Sequence, residues 1–181
     1  SLCCLLLLTT YHTVLVRSSV PQCSIAFYNV RNCPAVHCLA ANGKSWLACA
    51  DSLPDVSRLY RALSPNWNHQ RLSEVLTGDY ATSGFAFHNH IVSYAGKRIC
   101  LLHDARWRNK ISSHPLSIDY LYITKVYKGR IKELTTLFRI RTVILDTSLS
   151  DYRSDILKED CFRLAIPCVS LKERGALCIR L

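Results

Sequence analysis

The chain predicts an α/β (α+β) fold, and three observations carry that prediction. Short apolar runs flank Asn42-Gly43 and Ala95-Gly96, which is how β-hairpins read. The later part of the chain alternates β-branched runs with helical spacings, a βαβ-type order that puts parallel strands under helices. The 181 residues, 49% of them apolar, suffice for one domain with its own core.

Ser1–Val16 reads SLCCLLLLTTYHTVLV and carries no charge before Arg17. A membrane span needs about 20 apolar residues. The chain opens inside this run and contains no Met, so residues 1–16 are expected to be the end of a transmembrane helix. Tyr11 and Arg17 would anchor at the interface. The chain would then be the C-terminal part of something longer. A signal peptide and a buried core element are the competing readings. Residues 17–24, with Arg17 to Ser24 polar, are a linker, and residues 25–181 are the folded domain.

Ile25–Val30 and Ala35–Ala40 are strand candidates. Ser45–Ala50 forms the second arm of the Asn42-Gly43 hairpin and ends on Asp51. Pro54–Leu63 fits a helix, with Pro in its first turn and Val56, Leu59, Tyr60 and Leu63 on one face. Ser64–Gly84, which holds Trp67 and His69, has weak periodicity and receives no element. The central hairpin lies within Phe85–Asp104. Its arms are Ile91–Tyr94 and Arg98–Leu102, and the second arm runs out to Asp104. That Asp is either a ligand or acid at a sheet edge, or an ordinary solvated loop residue.

Ala105–Pro115 is a basic loop, and Ile118–Thr124 is a strand. Gly129–Phe138 is expected to be a helix with Ile131, Leu134 and Phe138 on one face. Thr142–Thr147 is a strand. Ser150 caps a helix running to about Ala165, striped by Tyr152, Ile156, Leu157, Cys161, Leu164 and Ala165 and stopped by Pro167. Cys168–Leu171 and Ala176–Leu181 are the last strands, turned around Gly175.

The net charge is +10, and residues 97–141 hold eleven Lys or Arg against Asp104, Asp119 and Glu133. A localised positive field draws polyanions: nucleic acid, anionic lipid or acidic protein. The same residues could instead solvate helix and loop faces. Ten cysteines show no CxxC pair and no metal-finger spacing. Most lie in apolar runs (Cys38, Cys49, Cys100, Cys168, Cys178) and read as core thiols. That count disfavours a strongly oxidising compartment.

Aspartates at strand ends and seven histidines invite metal hydrolysis. The order of hairpin ending on Asp51 (KSWLACADS), hairpin ending on Asp104 (LLHD) and late βαβ resembles the metallo-β-lactamase fold. More narrowly, it is similar to the soluble C-terminal domain of the ComEC family of DNA-internalisation competence proteins. YITKVYKG stands where that family has a strand into a His-His-Gly turn, and TVILD through GALCIRL matches its closing elements. The resemblance covers roughly residues 25–181 and is most specific from Tyr120 onward. It implies a metallo-β-lactamase-like sheet domain with helices beside a membrane-embedded region. It further implies a bacterial inner-membrane location, a domain on the periplasmic side, and a part in moving transforming DNA.

The departures bear on mechanism. No HxHxDH motif lies between Asp51 and Phe85, where His69 is the only histidine. His88-Asn89-His90 gives an HxH without the following Asp-His. The His-His-Gly turn has become Tyr127-Lys128-Gly129. Zinc or manganese needs two or three imidazoles per ion, and water activation needs the ion. Asp51 and Asp104 are therefore read as relic metal-site positions, and no metal, cofactor or hydrolase activity is expected. A residual site from Asp51, Asp104, His88, His90 and His103 is the alternative. Leu76-Thr77-Gly78-Asp79 also spells a Leu-x-Gly-Asp turn, but no strand is evident before it, so Asp104 is preferred. GxSxG, GxxxxGK and GxGxxG are absent.

Arg106, Trp107, Arg108 and Lys110 mix an indole with cations, and Lys125, Tyr127, Lys128 and Arg130 repeat the mixture one strand later. Single-stranded DNA is held by a positive groove with aromatic stacking faces, so these residues are the nucleic-acid-binding candidates. Packing of the cations over Trp107 needs no ligand and stays open. The reading is a non-catalytic DNA-contacting domain joined to the membrane through the rest of its parent chain. A metal-dependent phosphodiesterase or nuclease, and a structural domain that only docks onto the membrane channel, are the competing classes.

Overall fold

The computed structural model describes residues 3–4, 6–7, 9–11, 23–31, 33–50, 56–69, 74–77, 81–82, 84–104, 106–107 and 110–181. Eleven strands among them form two sheets. The five-stranded sheet holds β1 (Ser24–Phe27), β2 (Ala35–Leu39), β3 (Lys44–Cys49), β4 (Glu74–Thr77) and β11 (Leu177–Arg180), in the order β11-β1-β2-β3-β4. The six-stranded sheet holds β5 (Phe85–His88), β6 (Ile91–Tyr94), β7 (Lys97–Leu102), β8 (Leu116–Ile123), β9 (Phe138–Leu145) and β10 (Cys168–Ser170), ordered β10-β9-β8-β7-β6-β5. Helices α1 (Val56–His69), α2 (Ile131–Leu134), α3 (Asp151–Arg163) and α4 (Leu171–Arg174) connect them.

Three cores separate four layers. Leu59, Leu63 and Trp67 of α1 pack on Tyr28, Ala35 and Leu47 of the five-stranded sheet. Ile25, Phe27, Val36 and Trp46 meet Phe85, Val92, Leu101, Tyr122 and Ile144 between the sheets. Ile131, Leu134, Leu157 and Cys161 cover Cys100, Leu102, Leu121, Ile123, Val143 and Leu145 on the outer face of the six-stranded sheet. Each sheet thus has a core packed on both faces, as layered domains require.

The hairpins follow from turn chemistry. Asn89 and His90 (φ 50° and 61°) join β5 to β6, and Ala95 and Gly96 (φ 47° and 73°) join β6 to β7. Both central residues are left-handed, which matches the twist of the flanking strands; glycine takes that conformation without strain. From β7 the sheet turns parallel: β7, β8, β9 and β10 run side by side. Ser150 caps α3, its hydroxyl accepting from the Arg153 N–H at 3.3 Å. Ala165 (φ 52°) ends that helix, and the Ile166 N–H returns to the Cys161 carbonyl at 2.9 Å, a Schellman closure ahead of Pro167.

Several expectations are corrected. The expected fold class, a metallo-β-lactamase-like sheet domain preceded by the end of a transmembrane helix, does not hold. Among the described residues the domain is mixed α/β with two open sheets, edged by β4 and β11 and by β5 and β10, without the closure that class calls for. Among the described residues no helix is long and apolar enough to cross a membrane. The predicted helix over Gly129–Phe138 shrinks to α2, because the β-branched run from Ile140 to Ile144 extends β9 back to Phe138. A strand, β4, does lead into Leu76-Thr77-Gly78-Asp79; Gly78 and Asp79 lie outside the described residues. The last two strands do not turn on each other around Gly175: α4 intervenes, β10 pairs with β9, and β11 pairs with β1. Cys33, Cys38, Cys100 and Cys161 are buried, but Cys178 is exposed.

Candidate functional site

The carboxyl edge of the parallel strands gathers part of the predicted site. Leu102, Ile123 and Leu145 are in register, so the segments that leave them emerge together: His103-Asp104, Thr124-Lys125 and Asp146-Thr147. Open parallel sheets present ligand sites at this edge. The His90 turn joins them, with Nε2 4.0 Å from Asp104 Oδ2. His103 is half-buried and His88 is exposed.

Every described carboxylate at this edge has partners. Asp104 accepts from the Arg106 N–H at 3.0 Å and from Arg106 Nε at 2.7 Å. Burial opposes its ionisation, but the Arg106 hydrogen bonds and the charges of Arg106 and His90 outweigh burial and hold the carboxyl below its ordinary range. Asp146, buried, accepts from the Tyr122 hydroxyl and from the Ser148 N–H. Asp160 on α3 accepts from Arg130 Nη2 at 2.5 Å and from the Ile131 N–H at 3.1 Å. Beneath the edge, burial pushes the Cys100 thiol up to about 12, so it offers no thiolate near neutral pH.

The nucleic-acid-binding candidates divide. Lys125 and Lys128 are exposed at this edge, whereas Lys110 is exposed near the amino end of β9, its carbonyl accepting from the Thr136 hydroxyl at 3.2 Å. Arg106 is bound to Asp104 and Arg130 to Asp160. Trp107 is half-buried, edge-on to Phe138 with centroids 5.4 Å apart, and Lys110 Nζ lies 5.6 Å from its ring centroid. Its indole is thus packed into the core margin, as the ligand-free reading allowed. Tyr127 is buried and donates to the Arg130 carbonyl at 3.0 Å. A Cβ at Gly129 would overlap the Tyr127 hydroxyl and the Glu133 carboxylate, so the Tyr127-Lys128-Gly129 turn is a packed structural unit. Arg108 and Asp51 lie outside the described residues, and His69 falls on α1.

These donors do not fit a zinc or manganese ion. The Arg106 guanidinium sits on Asp104, and Tyr127 and Lys128 occupy the turn where imidazoles would be required. Among the described residues no group of three or more His, Cys, Asp or Glu side chains is placed to hold a metal. Sequence reasoning missed Tyr122–Asp146 and Asp160, and also a set of cations at the opposite edge: Lys97, Arg98, Arg139 and Arg141 around Asp119. The period-2 placement of those residues was the available signal.

No curated protein and no solved structure matches the chain. The family model described as the ComEC C-terminal domain matches residues 25–181, and the chain therefore belongs to the ComEC C-terminal domain family.

Proposed function

We propose that this chain is the C-terminal part of an inner-membrane competence protein that takes part in uptake of transforming DNA, and that its domain contacts the DNA without cutting it. Family membership supports the first part and is consistent with inner-membrane association. The periplasmic side is the placement that the family resemblance favours.

One observation supports the contact. At the carboxyl edge Asp104, Asp146 and Asp160 are each bound to neighbours, while Lys125 and Lys128 face solvent. The charge left to act on a ligand is positive, and exposed cations bind phosphates with release of counterions. The Arg106–Asp104 pair, which occupies the carboxylate, and the packed Tyr127-Lys128-Gly129 turn are what support a non-catalytic role.

Alanine at Lys125 and Lys128 together tests the reading. A DNA-contacting edge predicts weaker binding of single-stranded DNA and a shallower salt dependence. A domain that only docks onto the membrane channel predicts no change in either.

A further inference from the structure

The outer face of the six-stranded sheet changes chemistry halfway along its strands. Side chains alternate faces with period 2, so residues 98, 100 and 102 share one face of β7, 117 to 123 (odd numbers) one face of β8, and 139 to 145 (odd numbers) one face of β9. In the carboxyl halves these positions are Cys100, Leu102, Leu121, Ile123, Val143 and Leu145, all in the core under α2 and α3. In the amino halves they are Arg98, Ser117, Asp119, Arg139 and Arg141. Asp119 is half-buried and the other four are exposed. None of these five belongs to the core under the helices.

Register aligns these residues into a row. Ser93 pairs with Arg98 across β6 and β7. The neighbouring Ile99–Tyr120 and Tyr120–Thr142 pairs set Arg98, Asp119 and Arg141 side by side. Arg98 and Arg141 are then two strand spacings apart, about 10 Å. Asp119 organises the row: Oδ2 accepts from the Arg98 N–H at 3.1 Å, and Oδ1 lies 3.5 Å from Lys97 Nζ and 3.7 Å from Arg141 Nη1. One carboxylate thus pairs with two cations, Lys97 and Arg141, and shares its surroundings with two more, Arg98 and Arg139, and its ion pairs are longer than an optimal charge-assisted bond.

The row lies in a shallow groove. A cavity of about 670 Å³ is lined in part by Ser93, Lys97, Arg98, Ser117 and Asp119, and a second of about 370 Å³ shares Ser117 and Asp119 and reaches Arg139 and Arg141. Of the large apolar residues of this lining, Phe85, Tyr94 and Ile118 are buried and Ile140 is half-buried. The groove therefore offers guanidinium forks and hydroxyls but no exposed apolar wedge. That chemistry suits a chain of phosphates and not insertion into a lipid surface.

We infer that this groove is a second anion site, distinct from the carboxyl edge, which holds the phosphodiester backbone of single-stranded DNA through Arg98, Arg139 and Arg141. The inference rests on the DNA-contacting reading above. Arg98 and Arg141 flank the row, Arg139 extends it, and Asp119 positions Lys97 and Arg141 without neutralising the set.

The test uses the 181-residue chain, a fluorescent oligothymidylate probe and a salt series. The variants are Arg98→Ala/Arg139→Ala/Arg141→Ala, the same three positions changed to Lys, and the carboxyl-edge lysine variant. These arginines are exposed, and an unchanged melting temperature confirms folding. The alanine variant is expected to bind at least tenfold more weakly, with a log–log salt slope shallower by about 2, and the lysine variant to recover much of the loss. Alanine variants that bind as tightly as the unmodified chain overturn the inference while leaving the DNA-contacting reading in place. An unmodified chain that binds no oligothymidylate at low salt overturns both. Loss of binding to phosphatidylglycerol vesicles, with oligothymidylate binding retained, also overturns it and assigns the groove to a membrane surface.

Discussion

Arg106 closes on Asp104 from two residues downstream, its Nε 2.7 Å from Oδ2 and its own N–H 3.0 Å from Oδ1. A carboxylate that resembles a metal ligand in sequence is thus the acceptor of a local turn. The pair is half-exposed, so solvent screens it, and it contributes about 0.5–1 kcal/mol. The lowered Asp104 pKa makes that contribution present above its unfolded value and lost as pH falls through the folded value. We predict that Arg106→Ala lowers urea stability by that amount near neutral pH and leaves it unchanged at about pH 2. An equal loss at both pH values would contradict the pairing.

Beneath α1, Trp67 Nε1 donates to the Tyr28 hydroxyl at 3.1 Å, and that hydroxyl lies 2.7 Å from His37 Nδ1. The Tyr28 hydroxyl thus bridges the Trp67 N–H and the His37 ring. Burial lowers the His37 pKa to about 4. The unfolded chain takes up this proton first as the solution is acidified. The His37 contribution is full above about pH 6.5 and falls away down to about pH 4, by roughly 3 kcal/mol in all. We predict a falling melting temperature across that window and a smaller fall in His37→Leu. Parallel pH profiles for the two proteins would rule this out.

Asp160 is buried and binds both Arg130 and the first N–H of α2. Asp160→Ala leaves the Ile131 N–H without its acceptor and should cost about 1–3 kcal/mol in chemical denaturation. Arg130→Ala should cost less, because Arg130 is 45% exposed and its carboxylate partner keeps the backbone donor. The reverse order of the two losses would show that the ion pair, not the backbone bond, matters more.

Local chemistry was legible in the sequence where it determines local structure. Asn42-Gly43 and Ala95-Gly96 marked their hairpins, Ser150 marked the start of α3, and Pro167 its end. Ile131, Leu134 and Phe138 misled, because helical spacing continued by chance into the β-branched start of β9. Four-residue β4 is too short to show periodicity. That β10 and β11 belong to different sheets is a matter of tertiary packing, which neither strand records alone. At the candidate site, Asp104 and the lysines were visible as types. The bonding of Asp104 to Arg106 and the burial of Tyr127 were not, because both depend on how the loops fold back. The row of Arg98, Asp119 and Arg141 needs the register of three strands that are distant in sequence.

The most direct test of the central claim is equilibrium binding of single-stranded DNA by the 181-residue chain across a salt series, on protein whose metal content has been assayed. The account predicts that metal-free protein binds, that binding weakens steeply as salt rises, and that the DNA stays intact. No binding at low salt, or DNA cleavage that tracks stoichiometric zinc or manganese, would contradict it.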